Sequence, residues 1–303
     1  MKKLMIVAVG VASFCAWSAE PAKANAEAKA NAETKTPVME EKTDEAFTVG
    51  FDNDFFTAYT WRNAVATDRA VWQPCVWADW EFMEPFSVGF FVWQNWNLTK
   101  RTERYYQRAM GETDYNIHLG YNAWTSDDDK KSLNFEYGLE WYDYEAKKGY
   151  EAPSSNEMYL KGTFSNPIVD VYAQVSEAYR PVTAVHFETG LAKEIEITDR
   201  LSFNADWNVN FGSGKYLSYY LYDVGRHYDS EYDAYESCLK NGIGGTTIKG
   251  GLTYSVCDHF TIGLVLAYTA VLNRDARDGL QEMYSDYTMR NLVWGGIQAK
   301  IEF

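Results

Sequence analysis

Segments of nine to eleven residues in which apolar and polar side chains alternate recur along most of this chain. The stretch Leu201–Phe211, LSFNADWNVNF, alternates without an error, and Tyr115–Ala123 and Leu133–Trp141 repeat the pattern. Alternation with a period of two places apolar side chains on one face of a β-strand and polar ones on the other. The chain is therefore predicted to consist of strands that each separate an apolar environment from a polar one.

The alternation predicts twelve strands, whose connections fall into two classes. Short connections rich in turn residues follow the even-numbered strands, and longer segments follow the odd-numbered ones, except for a short connection around Pro181. This sorting is typical of an outer-membrane barrel. The predicted fold class is an all-β, transmembrane, antiparallel up-and-down β-barrel of about 12 strands, with short periplasmic turns and longer extracellular loops. The predicted strands are 47–61, 71–82, 86–98, 112–124, 132–144, 156–164, 168–178, 185–197, 201–211, 246–256, 260–271 and 291–303.

The first residues have the features of an export signal. Lys2 and Lys3 precede a short apolar run and then small residues, which predicts a cleavable signal peptide over 1–18. A lipoprotein signal built on Cys15 is the competing interpretation, and the bulky Phe14 before it argues against that signal.

The next segment differs in composition from the rest of the chain. Residues 19–46 repeat AKANAE and contain no aromatic side chain until the barrel begins, so we expect a disordered Ala/Glu/Lys-rich periplasmic linker. The predicted barrel domain then covers 47–303. Localisation in the bacterial outer membrane follows from the export signal together with the strands.

The overall composition fits strands that face lipid. Aromatic residues make up 17% of the chain, the mean hydropathy is -0.41 and the formal net charge is -15 at pH 7. The aromatic side chains are distributed singly among polar residues rather than in long apolar runs. So acidic a chain is not expected to bind nucleic acid.

The last predicted strand, Asn291–Phe303, suits the closing strand of such a barrel. Its alternation would place Phe303 in the aromatic girdle at the membrane interface. By analogy with outer-membrane barrels in general, we expect Phe303 to be read by the outer-membrane barrel assembly machinery. The bilayer and that machinery are therefore predicted partners, and a homo-oligomer is a further possibility.

The stretch YTWRNAVATDRAVWQPCV, Tyr59–Val76, resembles the TorF-type (Gcw-CHP) family of outer-membrane porins. The resemblance extends over the barrel and implies an outer-membrane β-barrel with a pore. The matching residues are Tyr59, Trp61, Arg62, Asp68, Gln73 and Pro74. Three positions depart from the family pattern, namely Asn63, Ala70 and Cys75.

If the apolar register faces lipid, the opposite register lines the lumen. Arg62 is placed on the first strand, either as a clamp paired with an acid or as a selectivity residue. Trp77, Phe91 and Trp93 form either an aromatic track for sugars or the filling of a narrow lumen. Acids outnumber bases on this face, which predicts a preference for cations. The predicted pore-lining residues are Asp52, Asp54, Arg62, Gln73, Trp77, Asp79, Phe91, Trp93, Glu136, Glu140, Glu188, Asp206 and Lys249.

Two functions remain open at this point. The first is a porin-like channel for passive diffusion of ions or small polar solutes, with a preference for cations. The second is a plugged structural or adhesive barrel that acts through its extracellular loops, of which the tyrosine-rich segment 212–245 is expected to be solvated. An outer-membrane enzyme is disfavoured because the chain has no HExxH or GxSxG motif and no evident Ser–His pair. We expect no metal site and no cofactor.

Overall fold

The structure is a computed structural model. It describes residues 46–99, 110–128, 130–144, 154–180, 182–221, 226–229, 234–237, 239–283 and 290–303. The predicted signal peptide and the predicted linker up to residue 45 lie outside these ranges.

Strands dominate the described residues. They are β1 (Ala46–Phe56), β2 (Tyr59–Trp61), β3 (Ala64–Thr67), β4 (Val71–Met83), β5 (Phe86–Asn97), β6 (Met110–Thr125), β7 (Ser132–Tyr144), β8 (Ser155–Ser165), β9 (Asp170–Arg180), β10 (Ala184–Thr198), β11 (Leu201–Gly212), β12 (Arg226–Asp229), β13 (Ala234–Ser237), β14 (Gly242–Cys257), β15 (Phe260–Val271) and β16 (Asn291–Glu302).

Twelve of these strands form one closed antiparallel barrel, so the predicted fold class is confirmed. Their order around the wall is β1-β16-β15-β14-β11-β10-β9-β8-β7-β6-β5-β4, and β4 returns to pair with β1. Because the wall closes on itself, every wall strand has two neighbours and no sheet edge is left. The predicted sorting of connections is also confirmed, since short turns lie at one end of the barrel and longer segments at the other.

Outside the membrane strands the described chain is partly helical. The α-helical turn α1 (Gly214–Tyr216) continues into a π-helical turn (Leu217–Leu221), and α2 (Arg274–Met283) lies between β15 and β16. The alternation did not predict these segments. No helix in the described part of the chain is long and apolar enough to cross a membrane.

The prediction for the first strand was wrong at its end. It was expected to run over 47–61, but β1 ends at Phe56 and the chain leaves the wall. Tyr59–Trp61 instead pairs with Ala64–Thr67 in a separate two-stranded sheet. The alternation continues through this segment because β2 is also a strand, although its partner is β3 rather than the wall. We call residues 59–67 the internal hairpin.

The outer face of the wall is apolar over most of its area. Leu266 and Val293 are 65% exposed and Ile297 is 56% exposed, and large apolar side chains occupy the outward register of the other wall strands. A continuous apolar surface of this extent is unstable in water but suits the hydrocarbon core of a bilayer.

Aromatic side chains mark both ends of the apolar surface. At the long-loop end Trp72 packs between Phe55 and Trp96, with ring centroids 6.3 and 5.8 Å apart. At the short-turn end the clusters are Trp80 with Phe82, Phe86 with Tyr121, and His259 with Phe303. Two aromatic girdles around a closed barrel with an apolar exterior are the architecture of the bacterial outer membrane, where this protein resides. By that architecture the short turns are periplasmic and the long loops are extracellular.

Phe303 closes the seam between β1 and β16, and this supplies a test. Its backbone N–H donates to the Val49 carbonyl oxygen at 2.9 Å, and its carbonyl oxygen accepts from the Val49 N–H at 3.0 Å. Phe303→Pro removes the donor and the ring, whereas Phe303→Leu removes only the ring. A backbone hydrogen bond contributes about 1 kcal/mol, so we expect the proline variant to unfold at lower urea than the leucine variant in lipid vesicles. Heat-modifiable migration on gels measures the folded fraction, and equal midpoints for the two variants would show that the seam bond is dispensable.

Candidate functional site

The tip of the internal hairpin has an unusual backbone. Arg62 and Asn63 form its two-residue turn with φ values of 45° and 64°. Positive φ at both central residues is typical of a type I′ turn, which is suited to joining two twisted strands. Asparagine tolerates this conformation, but for arginine the left-handed region costs roughly 1–2 kcal/mol. The contacts of the Arg62 side chain therefore have to offset a backbone cost.

The backbone of the tip is attached to the wall at β11 and β14. The Asn63 side-chain amide donates to the Gly245 carbonyl oxygen at 3.3 Å. The Asn210 side chain donates to the Arg62 carbonyl oxygen and accepts from the Gly245 N–H. A Cβ atom at Gly245 would lie 2.7 Å from the Asn63 carbonyl oxygen and 2.8 Å from that of Ala270. Glycine is therefore required here for the hairpin to approach the wall.

The Arg62 side chain points away from β11 and β14 and reaches the wall at β7 and β8. Its guanidinium donates to Glu157 at 2.6 Å, to Glu140 at 3.0 Å and to the Tyr142 hydroxyl at 3.1 Å. It also donates to the Tyr216 hydroxyl. All of these groups are buried, with the side chains of Glu140 and Glu157 1% and 0% exposed. The guanidinium is thus fixed by several acceptors that come from different parts of the chain.

The two glutamates need this cation. Glu140 and Glu157 are direct partners in the β7–β8 register, and like charges in that arrangement destabilise a sheet. Burial lowers the pKa of Arg62, but the charge of Glu157 and further negative groups, Glu140 among them, outweigh that effect and hold its pKa well above its ordinary value. Arg62 therefore stays charged and neutralises part of the repulsion. The Trp61 ring, 4.8 Å from the guanidinium carbon, adds a cation–π contact.

The hairpin contacts the wall at points that divide its circumference into thirds. The hairpin is rooted between β1 and β4, and four strands separate this root from the β14–β11 boundary on one side and from the β7–β8 boundary on the other. The remaining four strands, β11, β10, β9 and β8, lie between those two boundaries. With its root and both of its contacts on the wall, the hairpin crosses the lumen instead of lying along one side.

A second segment enters the lumen beside the hairpin. Ser213 caps α1 by accepting from the Tyr216 N–H, and Tyr216 and Leu217 are completely buried. Tyr216 stacks on His186 of β10, with ring centroids 4.8 Å apart. The expectation of a solvated loop over 212–245 was wrong for this part, because these side chains pack against Arg62 and the wall. Most of residues 222–238 lie outside the described structure.

Tyr220 attaches this segment to the short β9–β10 connection. Its hydroxyl donates to the Val182 carbonyl oxygen at 2.6 Å and accepts from the Val182 N–H at 3.2 Å. Burial raises the pKa of Tyr220 to about 12, so the hydroxyl keeps its proton and can make both contacts. The segment is therefore held from both sides, by Val182 and by Arg62.

The prediction placed Arg62 on a wall strand, and this was wrong, since it lies at the tip of the internal hairpin. The other predicted pore-lining residues lie on wall strands with their side chains on the inner side, and their roles in transport stay predictions. Trp77, Phe91 and Trp93 are buried, and the Trp93 ring lies 5.4 Å from that of Tyr59, an arrangement that favours lumen filling over an open track. The contacts of the others are Asp54 with Gln298, Gln73 with Asn95, Asp79 with His118, Glu136 with Tyr159, Glu188 with Tyr172, and Asp206 with Lys249; Asp52 faces Lys300 in the register.

Several residues that contact the tip of the internal hairpin were missed by the sequence analysis. Glu157 has the same strand parity as Lys161, so the alternation already implied an inward position for it. Tyr142 lies two residues after Glu140 on β7, so the alternation implied an inward position for it as well. Asn210 alternates correctly but gave no sign of its contact with the hairpin. Tyr216 lies in a connection without periodicity, so no signal in the sequence indicated its position.

Metal-binding and hydrolytic sites were sought in the same region. Within the described ranges no group of three or more His, Cys, Asp or Glu side chains is arranged to hold a metal ion. The histidine contacts found there are with side chains other than serine, namely His118 with Asp79 and Asn116, His186 with Tyr216, and His259 with Phe303. These contacts lend no support to a phospholipase-like site.

Comparison with known proteins gives general similarities of architecture. An outer-membrane channel from Pseudomonas putida F1 aligns with a TM-score of 0.48 and 8% identity over 89% of this chain and 100% of that one. The KdgM porin aligns at 0.43 and 8% identity over 84% and 99%, and outer membrane phospholipase A from Escherichia coli at 0.41 and 11% identity over 84% and 89%. No family model and no curated protein sequence matches the chain. Likenesses of this size say nothing about what the chain transports, and the resemblance to TorF-type porins stays a prediction.

The close approach at Gly245 yields a matched pair of variants. Gly245→Ala places a methyl group against the Asn63 and Ala270 carbonyl oxygens, and overpacking of this kind costs typically about 1–3 kcal/mol. Gly242→Ala is the control, because a Cβ there has no atom within 4 Å. We expect a lower urea midpoint for the first variant and an unchanged one for the second. If both variants behave as wild type, the hairpin is not held against β14 in the membrane.

The ion pairs of Arg62 can be tested by removing the arginine alone and by removing it together with the charges of its two acidic partners. Arg62→Met leaves two buried carboxylates facing each other, and breaking a buried pair on one side costs about 3–5 kcal/mol. Adding Glu140→Gln and Glu157→Gln to that variant removes the repulsion, so stability should recover most of the loss. A triple variant no more stable than Arg62→Met would mean that the charges are not coupled.

Proposed function

We propose that the chain is a porin-like outer-membrane channel for ions or small polar solutes and that the internal hairpin forms its constriction. The single observation that carries the proposal is the attachment of the hairpin across the lumen of a twelve-stranded barrel, with Arg62 at its tip. A barrel of this size has room for a passage that is wider than the filled interior of the smallest barrels and narrower than the lumen of the large porins. A loop fixed across it narrows that passage at one level.

The distribution of exposure along the lumen supports a constriction at a single level. Around Arg62 the inward side chains are buried, as with Glu140 and Glu157. Towards the short-turn end inward acids are exposed, as with Glu194 and Glu196 on β10. Inward acids are thus exposed to solvent at the short-turn end of β10 and buried beside the hairpin.

The charges of the lumen favour cations over anions. Among the described residues, the lysine and arginine side chains on the inner side include Arg62, Lys161, Lys249 and Lys300, and three of these are ion-paired: Arg62 with Glu140 and Glu157, Lys249 with Asp206, and Lys300 with Glu302. Further inward acids, including Asp52, Asp54 and Glu188, lie outside these pairs. Carboxylates that line a narrow passage attract cations and repel anions.

A plugged structural barrel is the second candidate, and the burial of the constriction favours it. Arg62 and Tyr216 close part of the lumen from two sides, and a barrel filled in this way could act only through its extracellular loops. Conductance separates the two functions, because a permanent plug gives no stable open level.

Ion selectivity provides the test of the proposed channel. We expect reversal potentials in planar bilayers to give a K⁺ to Cl⁻ permeability ratio of about ten in 0.1 M salt, the low end of the enrichment that charged clefts produce. The ratio should fall towards one in molar salt, where the Debye length is about 3 Å. Arg62→Ala removes a positive charge and the side-chain contacts of the hairpin, so conductance and cation preference should both increase.

The control variant is Asp128→Asn, which changes an exposed acid in a short turn outside the lumen. Its selectivity should equal that of wild type. An anion-selective wild type would refute the cation preference. A wild type and an Arg62→Ala variant that both lack an open level would favour the plugged barrel.

A further inference from the structure

A second group of acidic side chains lies on β6, next to the internal hairpin. Asp114 and Glu112 both face the lumen, two residues apart on the same strand. In the strand registers Asp114 lies between Trp93 of β5 and Tyr142 of β7. These acids were not among the predicted site residues, and the constriction described above does not use them.

The carboxylate of Asp114 is buried without a donor. The residue is 0% exposed, and within the described part of the chain the polar side chain that contacts its carboxyl group is another acid, Glu112, rather than a basic or amide donor. Its neighbours in the register do not help, because the Tyr142 hydroxyl donates to Glu140 at 2.5 Å instead. An ionised carboxylate left in this state is strongly unfavourable unless a positive charge comes close to it.

Arg62 is the positive group whose charge acts on Asp114, but its guanidinium is already paired with other acids. Glu112, Glu140 and Arg62 lie close enough for their charges to act on Asp114. The Arg62 guanidinium, however, donates to Glu140 and Glu157. In their ionised forms four carboxylates thus face one guanidinium, which leaves a formal excess of three negative charges at this level of the lumen.

The hairpin contributes a further oxygen. The Tyr59 hydroxyl is buried beside the Glu112 carboxyl group, and the charges of Glu112 and Asp114 act on it. Carboxylate and other oxygen atoms are the ligands that hard cations prefer. Since the described residues contain no cluster arranged as a metal-chelating site, a weakly held monovalent cation fits better than a chelated divalent one.

We propose that Asp114, Glu112 and the Tyr59 hydroxyl bind a small monovalent cation, such as K⁺ or Na⁺, beside the constriction. The inference rests on the proposed channel, and it names the class of ion that binds at the narrowest level of the lumen. Because Tyr59 belongs to the internal hairpin, the position of the hairpin and the occupancy of the site are coupled. Moving the hairpin removes one ligand and releases the ion.

The test uses Rb⁺, a monovalent cation that is located by anomalous scattering. Crystals of the purified barrel grown with Rb⁺ as the sole alkali cation should show an anomalous peak between Asp114 and the Tyr59 hydroxyl. Asp114→Asn should abolish the peak. The apparent dissociation constant for ⁸⁶Rb⁺ in detergent solution should rise at least about tenfold, which corresponds to about 1.4 kcal/mol.

The matched control is Asp54→Asn, the same chemical change at a lumen acid that accepts from Gln298 at 3.0 Å. It removes a lumen charge and should weaken cation preference, but the Rb⁺ peak should remain. Glu112→Gln is a second variant in case Asp114→Asn fails to fold, and it should lower the occupancy of the peak. Heat-modifiable migration confirms the fold of each variant.

The outcomes separate this inference from the proposed function. A Rb⁺ peak in a barrel that never conducts would refute the channel and keep the cation site. Cation-selective conductance without a peak, and unchanged by Asp114→Asn, would refute the cation site and keep the channel. A proton shared by Glu112 and Asp114, seen as a protonated carboxyl band in the infrared spectrum of wild type in Rb⁺, would also overturn the site, since the proton would then be the neutralising cation.

Discussion

The inside of this barrel depends on one buried cation between two acids. Glu140 and Glu157 are cross-strand partners without solvent, and Arg62 enters between them from a turn that is rooted elsewhere on the wall. Such a group has a large desolvation cost, and a well-packed apolar set of similar volume is often equally stable. What the ion pairs determine is position, because the hydrogen bonds of Arg62 to β7 and β8 are directional, whereas the other described contact of the hairpin with β7, between the Trp61 and Tyr142 rings, is a packing contact.

The tip contacts the wall on two sides, and each contact requires a different property of the wall. On the β7–β8 side the wall supplies charge, and on the β11–β14 side it supplies space, since Gly245 lacks the atom that would collide with Asn63. On the β11–β14 side the Asn210 side chain donates a hydrogen bond to the carbonyl oxygen of Arg62, the residue whose side chain reaches β7 and β8. These contacts with the wall offset the backbone cost of arginine at positive φ.

The wall was predictable from sequence because lipid and lumen impose opposite chemistry on alternate residues. This held even for β7 and β11, whose boundaries were predicted to within one residue. The same signal failed at Tyr59–Trp61, because alternation identifies a strand but not its partner. The position of Tyr216 depends on contacts with Arg62 and His186, which are distant in the chain, and no local pattern encodes them. Strand parity implies an inward position for Glu157, although the sequence analysis did not name it, whereas its pairing with Arg62 required the fold.

The hairpin also imposes an order on assembly. The hydrogen bonds of its tip to the wall join residues that are 78 to 182 positions apart in the chain, from Arg62 with Glu140 to Asn63 with Gly245, whereas most wall strands pair with their neighbours in sequence. Contacts of such long range form only after the partners have been brought together by other parts of the fold. The wall must therefore be in place on three sides before the tip can attach. The lumen is therefore narrowed only after β7, β8, β11 and β14 have formed.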